Sequence, residues 1–531
     1  MSAIGYAIGT RSSPNTANDF YFWVPPEEES LQVGSIVKVE SPGNSAIGVV
    51  EEMKSYADVD DFLTHALPRA NDPLLVPANK EQSIVVCRAR VLKQHRERPI
   101  GEGVVRYPTR GELEEVFSVE GCRIPFGVFV NSDGTMLPVR VHEEYVLGYE
   151  GAHVNISGMS GLATKTSTFL FLLASIFAHA RSRVACVIFN NKSDDLLHID
   201  RASKELTRED LLIYETCGVS PGGFKTRFFA PSNFYGRPQS LRQEAEVFRW
   251  GWEEVVNYLP GLLKAATQDQ KEKLDNAFYE LRRMASLRAL ASIAEVLDFM
   301  RRELLLEQKA PSELIHGTYK ATWGKLYNQL RALETKYDGL ITGYAEEVVD
   351  LPFDSIADRE VWVIDIQQLG FYPRKLVFER VIDEFLSRLE RRSLKVEKLI
   401  IFMDELNKYA PSNASAEVAS LKEKLIDIAA RGRSIGISLF AAEQFRSKID
   451  QNILGNISTD IYGKTKDAEL AEPLYKNLPE QVKGRIRRFS RGEKLLDHEL
   501  FEAPVFIRVP RPPCMLGSEL SRLRAMQKSV A

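Results

Sequence analysis

The 531-residue chain predicts an α/β protein. Its core is a mostly parallel sheet covered on both faces, preceded by a small all-β barrel and interrupted by a helical insertion. Three observations predict this. Leu399 to Met403 is an unbroken apolar run, which is how a strand buried on both faces reads. Similar runs at His153–Ser157, Arg183–Phe189, Glu360–Asp365 and Gly436–Gln444 alternate with helix-periodic segments, the pattern of a parallel sheet. The first 110 residues instead hold short β-rich segments between turn clusters.

The β-rich segments are Ile4–Thr10, Asp19–Val24, Ser35–Val39, Ala46–Met53 and Ile84–Leu92. Turns such as Ser12-Ser-Pro-Asn and Ser41-Pro-Gly-Asn separate them. Residues 111–150 form a connecting β segment around Phe126–Val130, with a turn at Asp133-Gly. Residues 151–240 begin the sheet-and-helix core. Residues 241–350 are strongly charged, glycine-poor and helix-periodic, as in Gln270–Leu287 and Tyr319–Lys336. That stretch reads as an insertion whose charges mostly face water. The core resumes over 351–470, with helices at Lys375–Arg391 and Glu417–Arg431, and 471–531 forms a C-terminal segment.

Bulk composition narrows the class. The hydrophobic share is 44%, the charged share 27% and the net charge −4, so there is no global basic signature of nucleic-acid binding. The five cysteines lie far apart with no CxxC pair, which suggests reduced thiols and no structural metal site. The longest apolar stretch, Phe169 to Ala178, is too short to span a bilayer. The expectation is a soluble, cytoplasmic protein.

Two stretches carry chemistry. Asp404 and Glu405 follow the apolar run directly. A buried strand ending in two carboxylates suits nucleotide hydrolysis: one acid holds Mg²⁺, directly or through water, and the other orients the attacking water. An ordinary core strand ending in a solvated acidic turn gives the same letters. Upstream, the strand at His153–Ser157 runs into Gly158-Met-Ser-Gly161-Leu-Ala-Thr164-Lys165-Thr166, and an apolar helix follows from Ser167 to Ala180. Strand, glycine-containing loop, Lys-Thr and helix is the arrangement of a phosphate-binding loop, and a strand-to-helix turn that merely contains a lysine gives the same letters. Backbone N–H groups cradle phosphates, the lysine reaches the terminal ones, and the hydroxyl binds Mg²⁺. Here the spacing is irregular. Six residues separate Gly158 from Lys165, and Thr164 stands where the pattern has glycine. Either the loop carries one extra residue or Met159 takes the first glycine's place.

The succession of "GAHVNISG", a helical insertion, "KLIIFMDE" and "ARGRSIGISLFAAEQFRSKIDQNILGNIS" resembles the HerA family of hexameric DNA-translocating ATPases, relatives of FtsK. The stretch Ala430–Ser458 carries the most specific part of the likeness. The resemblance implies a RecA-like P-loop core with ATP and Mg²⁺ as cofactors. It implies that Gly158, Gly161, Thr164, Lys165, Thr166 and Ser167 bind nucleotide. Thr166 and Asp404 would hold the metal, Glu405 would act as base, and Gln444 would sense the terminal phosphate. Arg433, or Arg431 instead, would reach a neighbouring subunit's nucleotide, although a pair of arginines at a helix C-terminus also suits the helix dipole. The basic cluster Arg485, Arg487, Arg488 and Arg491 would line a nucleotide edge between subunits, or else form a solvated surface. Arg446 and Lys448 are candidates for touching duplex DNA in a ring pore. The implied assembly is a homohexamer acting on double-stranded DNA, with an effector such as a nuclease or NADase docked on the barrel, plausibly in antiviral defence. No membrane is implied. The rival reading is a nucleotide-binding ring scaffold that activates its partner without moving DNA.

Overall fold

The computed structural model describes residues 3–25, 27–57, 83–117, 120–148, 151–159, 164–306, 309–337, 339–413 and 419–530. The N-terminal strands are β1 (Gly5–Ala7), β2 (Asp19–Val24), β3 (Ile36–Ser41), β4 (Asn44–Ala57), β5 (Ser83–Gln94) and β6 (Gly103–Arg106). They close into a barrel in the order β1-β2-β5-β4-β3-β6. Closure removes the edges that an open sheet exposes. Alternation along β2 buries Phe20, Phe22 and Val24 inside. Asn131 ties the barrel to the rest of the chain, accepting from Ile36 N–H at 2.9 Å and donating to its carbonyl at 3.1 Å.

The main sheet is built from β7 (Cys122–Val130), β8 (Met136–His142), β9 (Ala152–Ser157), β10 (Val184–Asn190), β11 (Lys225–Pro231) and β12 (Glu246–Phe248). A separate two-residue ladder, β13 (Leu314–Ile315) with β14 (Thr318–Tyr319), lies in the insertion. The main sheet continues with β15 (Glu360–Asp365), β16 (Lys398–Asp404), β17 (Ile437–Glu443), β18 (Ile457–Tyr462), β19 (Glu493–His498) and β20 (Val505–Arg508). Its twelve strands run in the order β12-β11-β15-β10-β16-β17-β9-β18-β19-β20-β7-β8. From β12 to β18 every pairing is parallel, and from β18 to β8 every pairing is antiparallel. The parallel stretch is buried on both faces, as the apolar runs predict. Leu399, Ile401 and Met403 enter one core, and Ile400 and Phe402 enter the other.

The helices that position the site are α1 (Thr164–His179), α2 (Arg208–Cys217), α3 (Phe371–Glu390) and α4 (Ala419–Ile435). The Phe169 ring of α1 stacks on Phe402 of β16 with centroids 3.7 Å apart. The insertion is helical, as its periodicity predicts. Leu274, Phe278 and Leu281 of Gln268–Leu287 join Trp323, Leu326 and Leu330 of Lys320–Arg331 in the core that also holds Met403. No described helix is long and apolar enough to cross a membrane.

Among the element boundaries that differ from the sequence reading, two bear on the site. Helix α1 begins at Thr164, because its polar first turn carries no hydrophobic period to read. Helix α4 runs on through Arg431 and Arg433 to Ile435, and the predicted start at Glu417 lies outside the described residues. Gly432 does not break that helix: a side chain there would meet the Ile437 carbonyl at 3.0 Å, so its smallness serves close packing. The turn falls instead at Gly436, whose φ of +103° favours glycine.

Candidate functional site

Parallel strands deliver their C-terminal ends to one edge of the sheet, where ligands of open α/β sheets gather. Strand β17 lies between β9 and β16. The loop that starts at Gly158 and the paired carboxylates therefore leave that edge one strand apart. The start of the loop is pinned on both sides. Gly158 N–H donates to the Glu443 carbonyl at 3.1 Å, and Met159 N–H to the Lys464 carbonyl at 2.8 Å. Gly158 has a φ of +147°, and a side chain on it would meet Gly463 Cα at 3.2 Å. Gly161 lies outside the described residues.

Lys165 sits in the first turn of α1, buried, and donates to the Gly158 carbonyl at 3.3 Å. Burial pulls its ammonium below the ordinary lysine range, opposed by Asp404, Glu443 and Glu405. Thr166 is half-buried, and Ser167 is buried with its hydroxyl unpartnered among the described residues. Thr164 opens the helix.

Asp404 closes β16, and Glu405 turns off it with φ +60° and ψ +49°. A left-handed backbone costs a residue with a Cβ, such as glutamate, roughly 1–2 kcal/mol, and such strain gathers at functional sites. It is held in place by a hydrogen bond from Glu405 N–H to the Ala442 carbonyl at 2.6 Å. Lys192, beyond the end of β10, lies 2.8 Å from Asp404 Oδ2 and 3.0 Å from Glu405 Oε1. Lys408 pairs with the other oxygen of Glu405. Burial works against the Glu405 charge, yet hydrogen bonds from Lys408 and Lys192 hold its carboxyl below the usual range. Glu405 is thus ionised at neutral pH. Asp404 Oδ1 is buried with no hydrogen-bond partner among the described residues. An oxygen left bare in this way fits a divalent cation or its bound water, with Thr166 nearby in sequence to Lys165. No cluster of three or more His, Cys, Asp or Glu ligands occurs among the described residues, so such a cation would depend on the bound phosphates for much of its coordination.

The sequence-derived residues do not all meet here. Gln444 follows β17 in a half-buried bend, and the side chain that completes the strand is Glu443, wholly buried. Asn155 lies near Glu443 but donates its hydrogen bond to Asp460 at 2.9 Å. Burial, reinforced by Asp460, pushes the Glu443 carboxyl up to about 8. Arg431 and Arg433 lie at the end of α4 that leads into β17, at the opposite edge of the sheet. The seven residues of β17 put them roughly 20 Å from their own chain's carboxylates. Arg431 is exposed and pairs with Asp427. Arg446 is no candidate for DNA contact: its guanidinium grips Asp460 through bonds of 2.9 and 2.6 Å, both side chains being about nine-tenths buried. Lys448 is exposed. Of the basic cluster, Arg485 is spent on the Val33 carbonyl and the Phe506 ring, and Arg487 pairs with Asp467.

Sequence reasoning assigned no role to Lys192 or Glu443. The polar loop Asn190–Asp195 signalled the first, since it follows a strand at the ligand edge. The polar pair Glu443-Gln444 that ends the Gly436–Gln444 run signalled the second.

No protein-family model matches the chain, and no curated protein matches it. Among solved structures it is similar to VirB4 of Thermoanaerobacter pseudethanolicus, at 17% identity and TM-score 0.46, over 74% of this chain and 97% of that one. It is also similar to the plasmid coupling protein TrwB in complex with the GTP analogue GDPNP, at 13% identity and TM-score 0.44, over 76% and 93%. A third is the genome packaging NTPase B204 from Sulfolobus turreted icosahedral virus 2, at 11% identity and TM-score 0.24, over 32% and 76%. What this chain's site can do follows from its own residues.

Proposed function

We propose that the chain is an ATP hydrolase that works as a HerA-like homohexameric ring, moving duplex DNA alongside a separate effector such as a nuclease or NADase. One observation carries the hydrolase reading: buried Lys165 and the Asp404–Glu405 pair reach the same sheet edge one strand apart. Lys165 would hold the terminal phosphates, helped by the amides of the α1 N-terminus. Thr166 and Asp404 would hold Mg²⁺, which supplies charge neutralisation at the phosphates when bound. Glu405, ionised at neutral pH, would take a proton from the attacking water. The new bond joins the water oxygen to the γ-phosphorus, the bridging P–O bond breaks, and ADP and phosphate leave. Gln444 would sense the γ-phosphate. Arg433, too far from its own site, would serve an adjacent subunit's nucleotide as a charge-neutralising finger.

A nucleotide-binding scaffold is the second reading, and the irregular spacing of the loop favours it. The experiment that separates the two is ATP turnover with and without duplex DNA, for the wild type and Arg433→Ala. The motor requires turnover that rises with DNA and collapses in the variant. A ring that assembles and binds ATP, yet shows no DNA-dependent turnover even with its effector bound, is a scaffold.

A further inference from the structure

The ionic groups at the ligand edge alternate in sign. Lys165 feels the Asp404 charge, Lys192 bridges Asp404 and Glu405, and Lys408 takes the far oxygen of Glu405. A base must accept a proton from water, yet Lys192 stands 3.0 Å from Glu405 Oε1 and Lys408 covers Oε2. Neither oxygen is open to a water while both ammoniums stay. The Lys408 side chain is 61% exposed and reaches back only to position i−3, so solvent competes with that pair. Lys192 is the firmer partner, because its side chain is 35% exposed and its charge meets two carboxylates at once.

Only the stem of Lys192 is free to move. The Asn190 carbonyl before it accepts from Ile366 N–H at 2.9 Å. The Asn191 side-chain amide donates to the Asp404 carbonyl at 3.1 Å and to the Tyr409 hydroxyl at 3.2 Å. The carbonyl of Lys192 itself accepts from the Gln367 side-chain amide at 2.5 Å. A pinned backbone that carries a flexible four-carbon stem lets the ammonium change partners while the loop stays in place.

Asp404 supplies the reason to change. A divalent cation on its bare Oδ1 stands one carboxylate's width from the ammonium on Oδ2, and like charges at that range repel. The displaced ammonium needs another anion. Lys165 lies near enough that the Lys192 charge adds to the burial pulling it below the ordinary lysine range, while Asp404 opposes both. A terminal phosphate on Lys165 therefore lies in the same electrostatic neighbourhood as Lys192.

We propose that Lys192 is a second terminal-phosphate residue: its ammonium leaves Asp404 and Glu405 for the γ-phosphate, and in leaving opens Glu405 Oε1 to the attacking water. The assignment rests on reading Lys165 as the terminal-phosphate lysine and Glu405 as the base. It ties the base to its substrate. With ADP in the site nothing draws the ammonium away, and Glu405 stays covered. With ATP the same movement adds a cation to the phosphate and frees the carboxylate beside it.

Calorimetric titration of the full chain with ADP and with the non-hydrolysable ATP analogue ADPNP tests this, using wild type, Lys192→Met and Lys408→Met. Saturating MgCl₂ removes any difference in metal affinity. The expected result is ADPNP affinity reduced roughly tenfold or more in Lys192→Met, the scale of a lost charged hydrogen bond, with ADP affinity undiminished. Lys408→Met should bind both nearly as the wild type does. Lys192→Gln, which keeps a polar head for Glu405, carries the same expectation if Lys192→Met fails to fold. Undiminished ADPNP affinity in the Lys192 variant overturns the proposal, and so does an equal loss for ADP and ADPNP. An equal ADPNP loss in Lys408→Met also overturns it, since any nearby positive charge would then serve. A wild type that binds neither nucleotide overturns the reading of Lys165 itself, a separate failure.

Discussion

Lys192 Nζ stands 2.8 Å from Asp404 Oδ2, and the same ammonium reaches Glu405 at 3.0 Å. One cation thus holds together two carboxylates that are adjacent in sequence and crowded at a strand end. Asp404 and Glu405 raise the Lys192 ammonium above the ordinary lysine range despite the burial that opposes its charge. Any divalent cation drawn to Asp404 must compete with that ammonium. Lys192→Met is therefore expected to bind Mg²⁺ more tightly than the wild type in the absence of nucleotide, by up to about fivefold for a partly exposed pair. Calorimetric titration with MgCl₂ measures it, and equal affinities would show that Lys192 does not compete.

Glu443 makes stability depend on pH. Its carboxyl rises from 4.5 to about 8 on folding, through burial first and Asp460 second. Between those values the folded chain keeps a proton that the unfolded chain has released, so raising pH favours unfolding. Glu443→Gln removes this titration while keeping the shape. Its stability advantage over the wild type is expected to widen from about pH 5 to about pH 8 and then level off. Thermal melts across that range check it, and a constant difference would contradict it.

The Arg446–Asp460 pair is structural. Removing one partner of a buried ion pair costs about 3–5 kcal/mol, because the other charge stays buried alone. Arg446→Ala is expected to lower the urea midpoint strongly. Lys448→Ala, on an exposed residue of the same turn, should leave it nearly unchanged. Equal midpoints for the two variants would show that the Asp460 contact contributes little.

What the sequence made legible was local. Leu399–Met403 announced a strand buried on both faces, and the structure divides its side chains between two cores. Helix periodicity exposed the insertion, and turn clusters exposed the barrel. What stayed hidden depended on which distant segments become neighbours. No periodicity says that β17 lies between β9 and β16, or that Lys494 of an antiparallel hairpin comes up beside Gly463. Arg446 looked like a surface cation because its partner, Asp460, lies on the next strand rather than on its own turn. The family resemblance singles out Gln444, whereas the full burial of Glu443 comes from the strands on either side of β17.

Glu405→Gln gives the most direct test of the central claim, that Lys165 and the Asp404–Glu405 edge form an ATP-hydrolysing site. The measurement pairs ATP turnover with ATP binding on the same preparation, beside Lys165→Ala. The expected result is binding retained and turnover abolished in Glu405→Gln, with both lost in Lys165→Ala. Undiminished turnover in Glu405→Gln would contradict it.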